Sequence, residues 1–517
     1  MKGSDYSCRG SFDIPRPRGV NQSAGDTNID TDYAYRAENI RTERGLLASA
    51  YGTSVAFACP ESGVQIETFT RFYRRNRRNE NGDLEDDAAN VFVACGGGSI
   101  YTITRAGGWI RCVPYDAEGN EMTTPFLCDK WSTVTYEEEA DGETVDILIL
   151  SNAKDGMYVI RGTEGGLSRV ERKKLTIGSE FAEVRFGVLG RYGERIWGTG
   201  DTKNPDKLFY SRPYSPFNWT QADNEEAKMG GGTISIPTWD GDSFIALSTF
   251  GGYLLAIKRN SVFEIRGTDP STFSLHEAYG TDGPVQGETV CVDRMGMYYL
   301  SREGLGMYDG AAIQRLGRDV LHEIMSARME DRQDAATACI CNHVYYLALA
   351  VKEGDFPVVE NNMVVEYDTE RGTFMIRTGI RVKDFYALDG QVYFTDAESP
   401  NQIMRYSDPQ ARGYDGLEMQ CMWETPWMDL GKGLIKRDFV LRFTAEADEA
   451  GLPLEISLAT ERREKTRQVL LSDRRRDYRV KIQSAGKRVR LRIRTAGRAA
   501  GWRIYGGVQV EYTYDEE

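Results

Sequence analysis

Four arginines stand at every second position near the carboxyl end of the chain, and their spacing makes them candidates for a functional surface. They are Arg488, Arg490, Arg492 and Arg494. Side chains at alternate positions of a β-strand share one face of the sheet, so we expect a stripe of guanidinium groups. Three interpretations stay open: a solvated or self-associating face, contact with nucleic acid, and contact with an acidic partner.

A second run, Arg474, Arg475 and Arg476, lies in the same basic segment. Residues 461–503 contain 16 Lys+Arg and 4 Asp+Glu, a local charge of +12, whereas the whole chain carries −14, so the remainder carries −26. An acidic body with a basic terminal domain can pair with its own copies or neighbouring subunits, or can present its basic face to nucleic acid. We therefore predict that these arginines face an interface or nucleic acid.

Residues suited to metal binding or to nucleophilic catalysis are sparse. The three histidines, His276, His322 and His343, are predicted in a strand, a helix and a strand of different units. Cys339 and Cys341 would share one strand face with His343, but zinc sites usually draw their ligands from turns and need a second pair. The sequence contains no GxSxG, Walker A or HExxH motif. We expect no metal, no cofactor and no enzymatic activity.

Carboxylate pairs are weak signals here, because 78 acidic residues make chance pairs common. A propeller glycosidase needs two carboxylates that flank the scissile bond, and Asp240 with Asp242, or Glu85 with Asp86 and Asp87, are the pairs available. Residues 79–87 lack the EF-hand spacing and are predicted to be a solvated loop rather than a calcium site. The glycine run 96–98 joins two predicted strands, which favours a hairpin over a phosphate loop.

Composition favours an all-β protein. The 517 residues include 54 glycines and 28 tyrosines and few helical periodicities, which is typical of many strands joined by tight turns. The nine cysteines are irregularly spaced, and we expect reduced core thiols in a protein made in the cytosol. No apolar run is long enough to span a membrane and no secretory signal is recognisable, so we expect no membrane insertion.

Apolar strands with glycine-containing turns recur from about residue 61 to 415, roughly every 40 to 50 residues, which is the spacing of propeller blades. This predicts a β-propeller of about seven blades over 61–415, preceded by an extended strap over 1–60. Trp197, Pro216 and Trp219 are predicted to be packing anchors between blades. A short helix beginning at Asp319 is expected between two blades.

The pattern changes at about residue 416. Five or more segments alternate with period two, which predicts a small antiparallel β-sandwich over 416–517 with a basic outer face. Its expected inner face consists of Leu454, Ile456, Leu458, Val489, Leu491, Ile493, Val508 and Val510.

Several short motifs carry a family resemblance. Residues 195–200 (RIWGTG), 208–213 (LFYSRP), 216–219 (PFNW), 258–267 (KRNSVFEIRG) and 300–310 (LSREGLGMYDG) resemble a signature of phage virion proteins. The segments 19–21 and 44–46 resemble the opening of that family, and 502–512 resembles its terminal domain. The chain thus resembles the tail nozzle, or packaged-DNA stabilisation, proteins of short-tailed bacteriophages and prophages.

That resemblance implies a virion tail protein assembled in the bacterial cytoplasm. It implies a ring of copies, commonly sixfold, beneath the portal and its adaptor, which surrounds and retains packaged DNA and docks tail fibres or a plug. Two other interpretations stay open: a glycan- or receptor-binding propeller at a tail tip, which would show exposed aromatic platforms on the blades, and a propeller glycoside hydrolase.

Overall fold

The computed structural model describes residues 7–23, 29–43, 45–74, 91–104, 106–140, 143–163, 165–222, 224–278, 282–352, 358, 360–414, 417–431, 433–495 and 500–515. Strands account for 57% of the protein and helices for 5%, so the prediction of an all-β fold is confirmed. The acidic run of Glu85, Asp86 and Asp87 and most of the predicted solvated loop around it lie outside the described residues.

Five strands lie in the amino-terminal segment, and each pairs with residues far along the chain. They are β1 (Ser7–Ile14), β2 (Arg36–Glu38), β3 (Ile40–Glu43), β4 (Leu46–Ser49) and β5 (Gly52–Ala58).

Five separate sheets follow, each an antiparallel meander of four consecutive strands. The first is β6 (Ile66–Phe72), β7 (Val91–Gly96), β8 (Ser99–Ile103) and β9 (Trp109–Arg111). The second is β10 (Val113–Tyr115), β11 (Ser132–Ala140), β12 (Glu143–Asn152), β13 (Gly156–Arg161) and β14 (Arg169–Arg172), in which β10 is an added parallel edge strand. The third is β15 (Val188–Tyr192), β16 (Arg195–Thr199), β17 (Lys207–Tyr210) and β18 (Gly232–Ser235). The fourth is β19 (Phe244–Phe250), β20 (Tyr253–Lys258), β21 (Val262–Arg266) and β22 (Ser274–Glu277). The fifth is β23 (Cys291–Asp293), β24 (Gly296–Ser301), β25 (Gly304–Tyr308) and β26 (Ile313–Leu316).

The turn between β7 and β8 shows how the sequence ends one strand and starts the next. Gly97 and Gly98 adopt φ of 60° and 71°, and Gly96 pairs with Ser99 across the turn. A two-residue hairpin of this type needs left-handed backbone at both central positions, which glycine adopts without steric conflict. The predicted hairpin at 96–98 is confirmed.

Two further four-stranded units share one long strand. They contain β27 (Thr337–Cys341), β28 (Val344–Leu349), β29 (Asn361–Asp368), β30 (Thr373–Leu388), β31 (Gln391–Asp396) and β32 (Gln402–Asp408). The first half of β30 pairs with β29, and its second half, from Val382, pairs with β31. The amino-terminal strand β5 pairs with β32 and so supplies the fourth strand of the last unit.

Apolar clusters join each unit to the next along the chain, and the last unit to the first. In the closing cluster, Ile66, Phe69 and Tyr101 of the first sheet pack with Tyr393 and Ile403 of the last. The second half of β30 also contacts β6 directly. The units therefore form a closed series.

The remaining strands build a two-layered sandwich from both ends of the chain. They are β33 (Gly413–Tyr414), β34 (Leu417–Glu418), β35 (Met422–Glu424), β36 (Lys436–Ala447), β37 (Leu452–Thr460), β38 (Glu464–Leu471), β39 (Arg476–Gly486), β40 (Val489–Thr495) and β41 (Trp502–Asp515). The short β33 and β34 pair with each other beside β5. One layer has the order β3-β4-β41-β36-β39, with β1 also on β41, and the other runs β2-β35-β40-β37-β38. All eight residues predicted for the inner face are buried, which confirms that prediction.

The segment 1–60 is thus built into both parts of the molecule. Strands β1, β3 and β4 belong to a sandwich layer, and β5 belongs to the last four-stranded unit. Strand β2 lies between them, because Glu38 pairs with Ile376 of β30 on one side and with Met422 of β35 on the other. The residue boundaries predicted at 60 and 415 stay predictions.

One α-helix, α1 (His322–Ala327), occurs among the described residues, three residues later than the predicted start at Asp319. Its Ile324 and the preceding Leu321 are buried in the largest apolar core. Short 3-10 helices cover Gly166–Ser168, Ser179–Phe181, Asn224–Met229, Gly287–Thr289 and Glu330–Ala335. Within the described parts of the chain, no helix has the length and apolar character that crossing a membrane requires.

All nine cysteines are free thiols, and their environments predict different reactivities. Burial raises the pKa of Cys112 to about 12 and that of Cys421 to about 12, whereas Cys8 and Cys128 are only half-buried. Since the thiolate is the reactive form, iodoacetamide at neutral pH should label Cys8 and Cys128 in the native protein and should label Cys112 and Cys421 only in urea. Peptide mass mapping checks this, and equal native labelling of Cys112 and Cys128 would contradict it.

Candidate functional site

Charged side chains from separate parts of the closed series meet in one cavity. We call Glu67, Lys130, Glu288, Lys383 and Asp384 the axial cluster. The Lys130 ammonium lies 2.6 Å from a carboxylate oxygen of Asp384 and 3.3 Å from one of Glu288, and Lys383 lies 3.2 Å from Glu67. All five line a cavity of about 510 Å³. Their positions in the sequence gave no sign of this meeting, because Glu67, Lys130, Glu288 and the neighbouring pair Lys383 and Asp384 lie in four segments far apart along the chain.

The electrostatics of the axial cluster favour a structural role. Burial opposes the charge on Lys130, but Glu288 and Asp384 outweigh it, and the pKa of Lys130 lies above its ordinary value. Burial raises the pKa of Asp384, and Lys130 opposes that rise. A lysine held as an ammonium ion has no free electron pair for nucleophilic attack. The cluster therefore suits ion pairing between units.

Three members of the arginine stripe, Arg490, Arg492 and Arg494, have the predicted strand geometry and are ion-paired within the chain. Val489, Leu491 and Ile493 of β40 are buried, and Arg490, Arg492 and Arg494 point to the opposite face. Arg488 precedes the strand and is exposed. Arg494 contacts Glu455 of the neighbouring strand β37 at 2.5 Å, and Arg492 contacts Glu464 of β38, one strand further, at 3.2 Å.

Glu424 is the central partner of the stripe. Its side chain is 3% exposed, and its two carboxylate oxygens accept hydrogen bonds from Arg490 at 3.1 Å and from Arg492 at 2.5 Å. The Arg490 guanidinium also lies over the rings of Tyr35 and Trp427, at 4.6 and 4.9 Å from their centroids. The stripe is thus largely neutralised where β35 meets β40, which makes it a poor phosphate-binding surface.

Replacing Glu424 by glutamine should destabilise the sandwich. A neutral amide cannot hold both guanidinium groups, and breaking a buried ion pair from one side destabilises by about 3–5 kcal/mol. The measurement is the midpoint of urea unfolding followed by circular dichroism. The matched control is Glu464→Gln, whose 42% exposed carboxylate should contribute at most about 0.5 kcal/mol. Equal effects of the two substitutions would show that the buried pair does not hold the layer.

Further positive charge of the sandwich lies where its other layer meets the edge strand β38. Five cations line a groove of about 880 Å³ across β1, β41, β36, β39 and β38, together with Asp438 and Glu511. We call this the cationic groove; its cations are Arg9, Arg442, Arg467, Arg479 and Lys481. Arg442 contacts Glu511 at 2.7 Å, whereas Arg467, Arg479 and Lys481 form no ion pair with any residue that the structure describes.

Of the predicted run, Arg474 and Arg475 lie in the turn between β38 and β39 and Arg476 begins β39, and all three are exposed. The Arg475 guanidinium lies 4.0 Å from the ring centroid of Tyr505. This run adjoins the cationic groove through β39, so the basic surface comprises the groove and this turn, and Arg490, Arg492 and Arg494 contribute little to it.

The three predicted anchors lie between sheets. Trp197 is 0% exposed and packs in the cluster that joins the third and fourth sheets, where its indole N–H donates to the Tyr192 carbonyl at 3.0 Å. Trp219 is buried in the cluster that joins the second and third sheets and lies 4.6 Å from the Phe186 ring centroid. Pro216 is buried in the loop that leads to it.

His343 corrects one prediction. It lies in the turn between β27 and β28, not in a strand, and both Asn342 and His343 have positive φ, of 49° and 62°. The period-two count ran past the end of the strand into a two-residue turn, so His343 does not share a face with Cys339 and Cys341. Its Nδ1 lies 3.1 Å from Asp293 instead.

Asp240 and Asp242 lie in one loop, the 236–243 connection between β18 and β19. The pKa of Asp240 lies below its ordinary value, because Thr238 and Asn260 hydrogen-bond to its carboxylate. A general acid needs the opposite shift of its pKa.

The same loop carries an exposed tryptophan. Trp239 directly precedes Asp240, Gly241 and Asp242, and its side chain is 99% exposed. Sequence reasoning missed Trp239, although a tryptophan beside an Asp-Gly-Asp turn is a recognisable loop signal.

Comparison with known proteins gives no family. No family model and no curated protein matches the chain. Among solved structures, the carbohydrate-binding module TmCBM61 in complex with beta-1,4-galactotriose is 14% identical, with a TM-score of 0.16, over 20% of this chain and 66% of that one. The extracellular domain of the putative hybrid two component system BT4673 from B. thetaiotaomicron is 10% identical, with a TM-score of 0.42, over 90% of this chain and 63% of that one. The Neurospora crassa Pan2 WD40 domain is 10% identical, with a TM-score of 0.29, over 79% and 97%. In the first two cases the match spans just under two thirds of the other structure.

Proposed function

We propose that the chain is a non-enzymatic structural subunit of a bacteriophage tail, a seven-bladed β-propeller with a terminal β-sandwich, which assembles into a ring with copies of itself. The observation that carries the propeller is the closed series of four-stranded units, in which the amino-terminal β5 completes the unit that also contains β32. Closing a ring with a strand from the opposite terminus leaves only short, protected edges. The resemblance of 195–200 and 300–310 to tail nozzle proteins supports the class.

Charge distribution supports assembly. Residues 461–503 carry +12 and the rest of the chain −26, and the cationic groove leaves Arg467, Arg479 and Lys481 without an ion pair among the described residues. A cationic patch on an acidic protein favours contact with an acidic surface, which copies of the same chain provide. Portal or adaptor proteins and fibre or plug proteins are the further partners we propose, with the virion tail as the location and the bacterial cytoplasm as the place of assembly.

The axial cluster bears on where DNA would pass. Lys130 contacts both Glu288 and Asp384, which belong to separate parts of the closed series, and in the proposed propeller such a contact between separate units lies on the central axis. A duplex therefore has no path along the axis of one subunit. In this proposal packaged DNA runs through the opening between copies, along acidic surfaces that do not bind its phosphates.

Electron microscopy of the purified full chain tests the proposal. We expect closed rings with several copies, six by resemblance, and association that weakens as salt rises from 50 to 500 mM, because exposed charges are screened. A monodisperse monomer at every concentration, which also fails to bind tail proteins made from the same genome, would overturn it.

A second candidate, a glycan- or receptor-binding tail tip, is favoured by Trp239, which is 99% exposed, and by Tyr214, which is 71% exposed. Exposed aromatic rings are the residues that such a function would use. A glycan array probed with the full chain distinguishes the two, and silence on the array would remove this candidate. For the hydrolase alternative, the acidic shift of the Asp240 pKa offers no support.

A further inference from the structure

We propose that the loop carrying Trp239 inserts into the cationic groove of a neighbouring copy, which makes this contact the joint of the ring; the inference rests on the proposed self-assembly. Trp239 is the most exposed large apolar side chain among the described residues, at 99%. Burying an indole in a partner is among the strongest single contributions to protein association.

The loop is held in one conformation before any partner arrives. The ammonium of Lys258, itself 0% exposed, donates to the Ile236 carbonyl at 2.6 Å. The Asn260 backbone N–H donates to Asp242 at 3.0 Å, and its side-chain amide donates to Asp240 at 2.9 Å. A loop that is already ordered loses little conformational entropy on binding. The protein thus fixes an exposed tryptophan on a rigid support.

The exposure of Trp239 also indicates what kind of partner fits. An aromatic platform for a sugar rests one ring face on the protein and offers the other. At 99% exposure, neither face of this indole is covered by the chain. A projecting ring of this kind suits insertion into a cavity of another protein more than it suits stacking on a flat ligand.

The cationic groove is complementary to the loop in size and charge. It has a volume of about 880 Å³ and offers Arg467, Arg479 and Lys481 without ion-pair partners among the described residues. Asp240 and Asp242 follow Trp239 at one and three positions along the same loop and would supply the missing carboxylates, while a guanidinium can lie over the indole face. Charged groups that lose water on binding need such partners.

The two surfaces lie on different parts of the chain: one is the loop between β18 and β19, and the other is the cationic groove of the sandwich. A contact between unlike patches is heterologous, so each copy uses its loop on one neighbour and its groove on the other. Repeated contacts of this type close into a ring when the rotation between copies allows it. The arrangement therefore gives a ring or an open filament rather than an isologous dimer, and the proposed tail ring requires the closed form.

Sedimentation velocity of the full chain at several concentrations tests the contact. Trp239→Ala should weaken self-association by about 30-fold or more, the effect expected of a hot-spot residue, and should leave the melting temperature unchanged at concentrations low enough for the unmodified chain to be monomeric. Leu127→Ala, at an exposed side chain of 71% outside both surfaces, is the matched control and should change neither.

Charge reversal identifies the groove as the partner. Arg479→Glu with Lys481→Glu, and separately Asp240→Lys with Asp242→Lys, should each abolish association, and the chain carrying all four changes should regain it. Unchanged association of Trp239→Ala, or no recovery of association in the fourfold variant, would overturn the proposed contact. The proposed function would still stand if the unmodified chain forms rings. A monomeric unmodified chain would overturn both. Loss of glycan binding in Trp239→Ala without a change in association would assign the loop to a glycan instead.

Discussion

Replacing Trp197 by alanine is expected to destabilise the protein by about 3–5 kcal/mol, the range for removing a buried aromatic side chain. Trp197 belongs to β16 and is 0% exposed. Its ring centroid lies 5.1 Å from that of Tyr210 and 5.2 Å from that of Phe273, so it fills the space between the third and fourth sheets. Alanine would leave a cavity there, and the Tyr192 carbonyl would lose the hydrogen bond from the indole.

Trp239→Ala is the matched control, because it removes the same side chain from a position that is 99% exposed. At concentrations low enough for the protein to be monomeric, its midpoint of urea unfolding should match that of the unmodified protein, since no packing or hydrogen bond of the indole within the chain is lost. Urea unfolding of Trp197→Ala, followed by fluorescence and by circular dichroism, should show the same loss of unfolding free energy with both probes. A loss below about 1 kcal/mol, well under the range for removing a buried aromatic ring, would show that the two sheets do not depend on this anchor.

Local periodicity predicted those parts of the fold in which strands are half-buried. The inner face of the sandwich follows from period two alone, as the alternate residues Val489, Leu491 and Ile493 of β40 show. The same period placed Arg490 and Arg492 on the opposite face. It could not identify Glu424 as their partner, because β35 and β40 are paired only by the tertiary fold.

Pairing between distant segments is also what sequence reasoning missed elsewhere. Nothing in the composition of 52–58 indicates that β5 pairs with β32, more than 340 residues later. Strands pair through backbone N–H and C=O groups, which do not depend on the residue type. The axial cluster has the same origin, as Lys130 and Asp384 are 254 positions apart. The prediction for His343 was wrong for a local reason. Counting every second residue does not show where a strand ends, and the backbone turns at Asn342 and His343, where φ is positive.

Arg377→Met is expected to destabilise the protein by about 3–5 kcal/mol, because it leaves a partly buried carboxylate without its cation. The Arg377 side chain is 6% exposed, and its Nε lies 2.8 Å from Glu366. Its two terminal nitrogens donate to the Tyr51 carbonyl and to Ser407, both at 2.9 Å. One guanidinium thus connects β29 and β30 to β32 and to the residue preceding β5.

The charge of Arg377 persists over the whole accessible pH range. Burial opposes the charged form, but Glu366 and the nearby Tyr406 and Tyr414 hydroxyls outweigh it, and its pKa lies above the ordinary value. Because folding raises the pKa of Arg377, the guanidinium of the folded state keeps its proton even where that of the unfolded chain begins to lose it. The contribution of this charge to the free energy of unfolding is therefore lost only at strongly alkaline pH. The deficit of Arg377→Met should therefore be constant from pH 6 to 9, within about 0.5 kcal/mol.

Two variants separate the ion pair from the space that it fills. Arg371→Met removes a 74% exposed arginine that lies 3.5 Å from Asp368, and it should change the free energy of unfolding by at most about 0.5 kcal/mol. The double variant Arg377→Met with Glu366→Leu removes both charges and should regain much of the stability lost by Arg377→Met, because apolar residues of similar volume often replace a buried ion pair without loss. If the double variant is no more stable than the single one, the hydrogen bonds to Tyr51 and Ser407, rather than the unpaired carboxylate, hold the last unit to the amino-terminal segment.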